Sequence, residues 1–89
     1  AVGADVSTVA VGDRVAWESG GPSYAELVTV KESRAILVPE GVDDRTAAAL
    51  PLQGLTAHYL TTSSFVLGPG HDVLLHAAAG GVGLLATQL

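Results

Sequence analysis

The stretch Asp72-Val73-Leu74-Leu75-His76-Ala77 runs directly into Ala78-Ala79-Gly80-Gly81-Val82-Gly83, and Leu84-Leu85-Ala86-Thr87-Gln88-Leu89 follows. The first block is a short apolar run of the kind that forms a strand buried on both faces. The last block holds good helix formers and reaches about two turns. A strand, a glycine turn and a helix start, in that order, form a device that receives a diphosphate: backbone N–H groups at the helix N-terminus, and the positive end of its dipole, face the anion. In the spacing G-x-G-x-x-G the first glycine makes the turn, the second lets phosphate approach the backbone, and the third lets helix and strand pack closely. Ala78, Gly80 and Gly83 occupy those places. A methyl group at 78 is accommodated only if the backbone there keeps φ negative.

Working back toward the start of the chain, Thr61-Thr62-Ser63-Ser64 and Gly68-Pro69-Gly70 bracket a loop. Before it, Leu52, Leu55, Tyr59 and Leu60 recur at helical offsets and predict a helix over about 51–63. Asp43 or Asp44 is placed to cap an earlier helix whose first turn holds Thr46-Ala47-Ala48-Ala49, and Pro51 is expected to interrupt it. The first forty residues have a different texture. Val9, Val11, Val15 and Trp17 fall at alternate or near-alternate positions around a Gly12-Asp13 turn. After the breaker cluster Gly20-Gly21-Pro22-Ser23, Tyr24 to Val30 reads as a strand, and Ala35-Ile36-Leu37-Val38 as another, ended by Pro39. Short strands at this spacing suggest a piece of a small β-barrel or sandwich. Trp17 and Tyr59 are the expected aromatic core residues.

Composition narrows the function classes. The 89 residues suffice for one small globular unit, and their 48% apolar content with only 15% charged residues resembles material from the interior of something larger. A net charge of −5 with four basic residues leaves no basic stripe, which argues against nucleic acid as a partner. The absence of cysteine removes disulfides, thiolate nucleophiles and every cysteine-containing zinc site. No apolar run approaches the roughly 20 residues that span a bilayer, so no membrane partner is expected and a cytoplasmic location is the default.

Beyond the glycines, Val11-Gly12-Asp13-Arg14-Val15, Ser23-Tyr24-Ala25-Glu26, Ala47-Ala48-Ala49-Leu50, Leu52-Gln53-Gly54-Leu55-Thr56-Ala57-His58-Tyr59-Leu60 and His76-Ala77-Ala78-Ala79-Gly80-Gly81-Val82-Gly83 together carry a likeness. The chain resembles the zinc-independent quinone oxidoreductases, the zeta-crystallin-like branch of the medium-chain dehydrogenase/reductase superfamily. The Gln-Gly-Leu-Thr-Ala and His-Ala-Ala-Ala-Gly-Gly-Val-Gly segments are specific together, whereas Gly-Asp-Arg-Val is shared across the superfamily. The resemblance implies an α/β parent in which a GroES-like β-rich substrate domain runs into a Rossmann dinucleotide-binding domain. On that basis residues 1–42 end the GroES-like domain, 43–64 form linking helices, and 65–89 hold the first strand, glycine turn and helix start of the Rossmann domain. It also implies that Ala78 is a normal variant in this branch.

By the same likeness the expected cofactor is NADP(H). Thr56 would sit beside the nicotinamide carboxamide. Ala79, Gly80, Gly81 and Val82 would line the diphosphate and nicotinamide ribose, with Ala78 and Gly83 completing the turn and Gln53 a further candidate for the cleft. Zinc-dependent relatives place a metal-binding cysteine four residues before the threonine that matches Thr56; here that residue is Leu52, which cannot coordinate zinc. The expectation is therefore a metal-free transfer in which the protein orients donor and acceptor and the cofactor supplies the reactivity. No metal site is expected, and no catalytic side chain is identifiable.

Other residues invite blander readings. His58, His71 and His76 occur in three unrelated contexts without ligand spacing and read as packed, capped or solvated histidines. Thr56 has an alternative as a helix residue bonding its own backbone. Tyr24 and Glu26 are explained as a surface pair on one strand face. Asp43-Asp44 reads as helix capping with favourable dipole placement. None of the serines stands in the strand-to-helix setting of a hydrolase nucleophile. The function expected of the parent is NADPH-dependent reduction of a quinone, in a homodimer. Its alternatives are an enoyl or alkenal reductase of the polyketide synthase type, acting on an enone, and, for the isolated chain, a non-catalytic binding or structural piece.

Overall fold

The computed structural model describes residues 1–19, 21 and 23–89 and divides into two compact units, Ala1–Pro51 and Leu52–Leu89. In the first unit, β1 (Val15–Ala16) pairs antiparallel with β2 (Ile36–Leu37), with Val15 opposite Leu37 and Ala16 opposite Ile36. The pairing extends one step further where the Val38 amide donates to the Arg14 carbonyl at 2.9 Å. Ala16 is buried, and Val15 and Trp17 are half-buried beside it. The Gly12-Asp13 turn forms as the sequence predicts: the Asp13 carboxylate accepts the Ala10 amide at 2.7 Å while the Asp13 amide donates to the Ala10 carbonyl at 3.2 Å.

A 3-10 turn, Glu32–Arg34, precedes β2 and anchors the N-terminal segment. One oxygen of Glu32 accepts the amides of Ser7 and Thr8, both at 2.7 Å, and the Thr8 hydroxyl at 2.9 Å. Val2, Val6, Val9, Val15, Trp17 and Val30 line an open hollow of about 330 Å³ behind this clasp.

The strand expected over Tyr24 to Val30 does not form a ladder. Among the described residues the sheet has two strands, and Tyr24 and Leu27 are fully or almost fully exposed. β-propensity expresses packing against neighbouring strands, and without a paired neighbour Leu27 stays exposed while Val28 lines the hollow beside Val30. Of the breaker cluster before it, Gly20 and Pro22 lie outside the described residues.

Helix α1 (Asp44–Tyr59) contradicts the expectation of two helices broken at Pro51, because it runs without interruption through the proline. Proline removes one i→i−4 bond and crowds the carbonyl of Ala47, at a cost of about 3 kcal/mol in a helix interior. The alanine run before Pro51 has the strongest helix propensity, and the N-terminus is doubly fixed. Asp43 is the N-cap, its carboxylate accepting the Arg45 amide at 2.9 Å and the Thr46 amide at 3.0 Å. Asp44 instead receives the Arg14 guanidinium, Nη2 at 2.6 Å and Nε at 3.0 Å, while the same Nη2 donates to the Val42 carbonyl at 2.7 Å.

At its far end α1 widens into a π-helical turn, Leu60–Ser64. The hydroxyls of Thr61 and Thr62 donate back to the Ala57 and His58 carbonyls at 3.0 and 2.7 Å, competing with the backbone for those acceptors. Tyr59, expected in the core, is 59% exposed; the fully buried residue of the helix is Ala57. The loop beyond is tied by the Gly68 amide donating to Nδ1 of His71 at 3.0 Å, with Phe65 against the His71 ring at 5.5 Å. His71 is thus a loop clasp.

The segment expected as a doubly buried strand, 72–77, carries no ladder among the described residues, and Leu74 is 84% exposed. A parallel neighbour is reached only through a crossover of a dozen or more residues, and the described residues after the turn form only helix α2 (Gly81–Ala86) and a closing turn at Thr87 and Gln88. α2 begins at Gly81, inside the glycine cluster, earlier than the apolar run from Leu84 suggests.

Candidate functional site

The site begins with a backbone bend. Ala77 takes φ of 54°, the left-handed region, and its carbonyl accepts the Gly80 amide at 2.8 Å, closing the turn. Ala78, the departure from the glycine spacing, keeps a negative φ, so its methyl group is tolerated because the residue before it makes the reversal. No sequence signal identifies Ala77, since alanine rarely enters this region and costs about 1–2 kcal/mol there.

Gly80 is the N-cap of α2, in extended conformation and with no side-chain cap. The first intrahelical bond is Leu84 N–H to the Gly80 carbonyl at 2.8 Å. The amides of Gly81, Val82 and Gly83 therefore find no acceptor among the described residues. The side chains of the turn residues themselves are hydrogen or small apolar groups, so the turn presents its backbone donors without polar side chains of its own.

Two glycines are explained by close approach. A Cβ at Gly83 would lie 2.6 Å from Ala78 Cα and 2.7 Å from its carbonyl carbon, so the helix touches the incoming backbone. This is the role the third glycine of the spacing predicts. A Cβ at Gly81 would instead collide with the carboxamide of Gln53, whose Cδ and Nε2 lie 2.5 and 2.6 Å from that point. Gln53, a weak candidate on sequence alone, is thereby brought against the turn.

Thr56 stands on α1 three residues after Gln53, and is half-buried. Its hydroxyl donates to the Leu52 carbonyl at 2.7 Å, the helix back-bond that the blander reading anticipates. The donation leaves the oxygen lone pairs available to accept a bond from an N–H group. Ala79 is exposed in the turn and Val82 half-buried at the helix start. The structure thus brings Gln53, Ala77, Ala78, Gly80, Gly81 and Gly83 into contact around the bend, with Thr56 further along the same helix. Donors without acceptors among the described residues and glycines that bring two backbones together suit the binding and orientation of an anionic ligand.

No family model matches the chain. A quinone oxidoreductase of Pseudomonas aeruginosa is 46% identical over 89 residues, covering 99% of this chain and 27% of that protein. A low-reducing polyketide synthase, drtA, of Aspergillus calidoustus is 43% identical over 88 residues, covering 99% of this chain and 4% of the synthase. In the crystal structures of a quinone oxidoreductase from Pseudomonas syringae pv. tomato DC3000, a stretch 44% identical superposes with a TM-score of 0.91 over 99% of this chain and 27% of that one. The chain therefore spans about a quarter of the length of the quinone oxidoreductases it matches.

Proposed function

We infer that this chain, homologous along its whole length to part of the zeta-crystallin-like quinone oxidoreductases, carries the cofactor turn of an oxidoreductase that reduces a quinone with NADPH. The observation that carries the reading is the set of free amides at Gly81, Val82 and Gly83, held open by a turn in which a glycine lets α2 touch the incoming backbone. In this reading Ala78, Ala79, Gly80, Gly81, Val82 and Gly83 hold the diphosphate and adjoining ribose. Thr56 offers its oxygen to the nicotinamide carboxamide, and Gln53 flanks the cleft. The dinucleotide, when bound, supplies a hydride. The residues of the chain bind it, fix its orientation and keep the α2 amides directed at its diphosphate.

Residues 1–42 belong, in the same reading, to the end of a GroES-like domain, 43–64 to linking helices and 65–89 to the start of a Rossmann domain, within a cytoplasmic homodimer. Leu52 offers no metal ligand at the position where zinc-dependent relatives have a cysteine, which favours a zinc-independent reaction. The test is titration of NADPH and NADH into the intact protein, followed by turnover with a quinone acceptor. Micromolar NADPH binding with quinone-dependent oxidation is expected. A protein that binds neither nucleotide overturns the reading and leaves a non-catalytic structural role.

The polyketide synthase relative favours a second reading, reduction of an α,β-unsaturated carbonyl compound. Turnover confined to enones, with none on quinones, selects it.

A further inference from the structure

From the contact between Gln53 and Gly81 we propose that Gln53 is a positioning residue: its side chain, seated in the space where a Cβ of residue 81 would lie, fixes the helix that carries Thr56 against the glycine turn. The proposal rests on the dinucleotide reading above and deepens it. Oxygen, carbon and nitrogen of the carboxamide all crowd the same point beside Gly81, with Nε2 2.6 Å from the ideal Cβ position. The group therefore lies against the Cα of Gly81, filling the space of the missing side chain by shape.

Gln53 and Thr56 are three residues apart on α1, a separation that puts them on neighbouring ground one turn on. Whatever sets Gln53 against Gly81 also sets Thr56 at a fixed distance from the turn. In the dinucleotide reading those are the two ends of one ligand segment, nicotinamide at Thr56 and diphosphate at the glycine turn. The glycine at 81 leaves that space to Gln53, because any side chain there displaces Gln53 and moves the two ends apart. Misplacement of a reacting group by about 1 Å costs on the order of 100-fold in rate, so the contact bears on transfer more than on affinity.

The test uses the intact protein and four variants: Gln53→Ala, Gln53→Met, Gly81→Ala and the double variant Gln53→Ala/Gly81→Ala. Single-turnover transfer from NADPH is measured together with the affinity for ADP-ribose, which has the diphosphate and lacks the nicotinamide. Gln53→Ala is expected to slow transfer by about tenfold or more while ADP-ribose affinity stays within about twofold. Gln53→Met, close in length and unbranched, should restore most of the rate. Gly81→Ala should slow transfer as Gln53→Ala does, and the double variant should be no slower than either single one, because removing the carboxamide makes room for the new methyl group.

Equal losses in transfer and in ADP-ribose affinity, or multiplicative losses in the double variant, overturn the proposal. Thermal melting without ligand separates this from a failure of the dinucleotide reading. Gly81→Ala should raise Tm slightly in the Gln53→Ala background, where only a helix glycine is lost, and should lose that gain or lower Tm in the presence of Gln53. Absence of that difference removes the contact itself, whereas its presence in a protein that binds no nucleotide removes only the cofactor.

Discussion

Gly83 stands so close to Ala78 that a single added carbon would come within 2.6 Å of its Cα. The obstacle is main chain, which cannot swing aside as a flexible side chain can. Gly83→Ala is therefore expected to destabilise the protein by about 1–3 kcal/mol, the usual cost of overpacking, and to weaken nucleotide binding by lifting α2 from the turn. Denaturant unfolding checks the first effect. An unchanged midpoint would mean that the helix and the turn are not in contact in solution.

Ala77 offers the opposite experiment. Its φ of 54° is strained for a residue with a Cβ, and Ala77→Gly relieves that strain while adding disorder to the unfolded chain. The two terms leave a net gain of about 0.5–1 kcal/mol. A rise in Tm is expected, and a fall would place the reversal at another residue.

Ala79, exposed in the turn, separates folding from binding. A carboxylate there lies near the positive end of α2, which favours the fold slightly or leaves it unchanged. The same charge repels a diphosphate at the free amides. Ala79→Asp should hold Tm to within about 2 °C, an amount small beside the shift caused by 1 kcal/mol. NADPH affinity should fall by about tenfold or more, since 1.4 kcal/mol of repulsion suffices. Preserved affinity would count heavily against a diphosphate at this turn.

Glu32 gives the first unit a pH dependence. The Ser7 amide, then the Thr8 amide and hydroxyl, stabilise its charged form and hold its carboxyl below the ordinary value of 4.5. A depressed native value means that the stabilisation is complete above the unfolded value and disappears as pH falls through the native one. Glu32→Gln should therefore melt below the unmodified protein at pH 7, and the two curves should converge as pH drops well below 4.5. A gap that persists at the acid end would show that the charge is not what holds Ser7 and Thr8.

The glycine spacing around 80–83, the Gly12-Asp13 turn, the acidic cap before α1 and the apolar offsets after Pro51 were all legible in the residues, because each depends on local conformational preference. Pro51 was misleading for a physical reason. A proline's cost is local, but whether a helix breaks there depends on what holds its two halves, and Arg14 reaching Asp44 across 30 residues is not a local signal. The strands read at 24–30 and 72–77 failed in the same way, since a strand needs a partner and the alternation of side chains does not supply one. Gln53 stood out weakly in sequence and strongly in structure.

The sequence by itself determined that a bend rich in glycine would join an extended apolar segment to a helix, because backbone freedom and helix propensity are properties of the residues themselves. Only the tertiary structure decided which residue makes the reversal, Ala77, and which side chain fills the space beside Gly81, because close approach is a property of two segments at once. Gln53 and Gly81 lie 28 positions apart, and nothing in either neighbourhood announces that one occupies the room the other leaves.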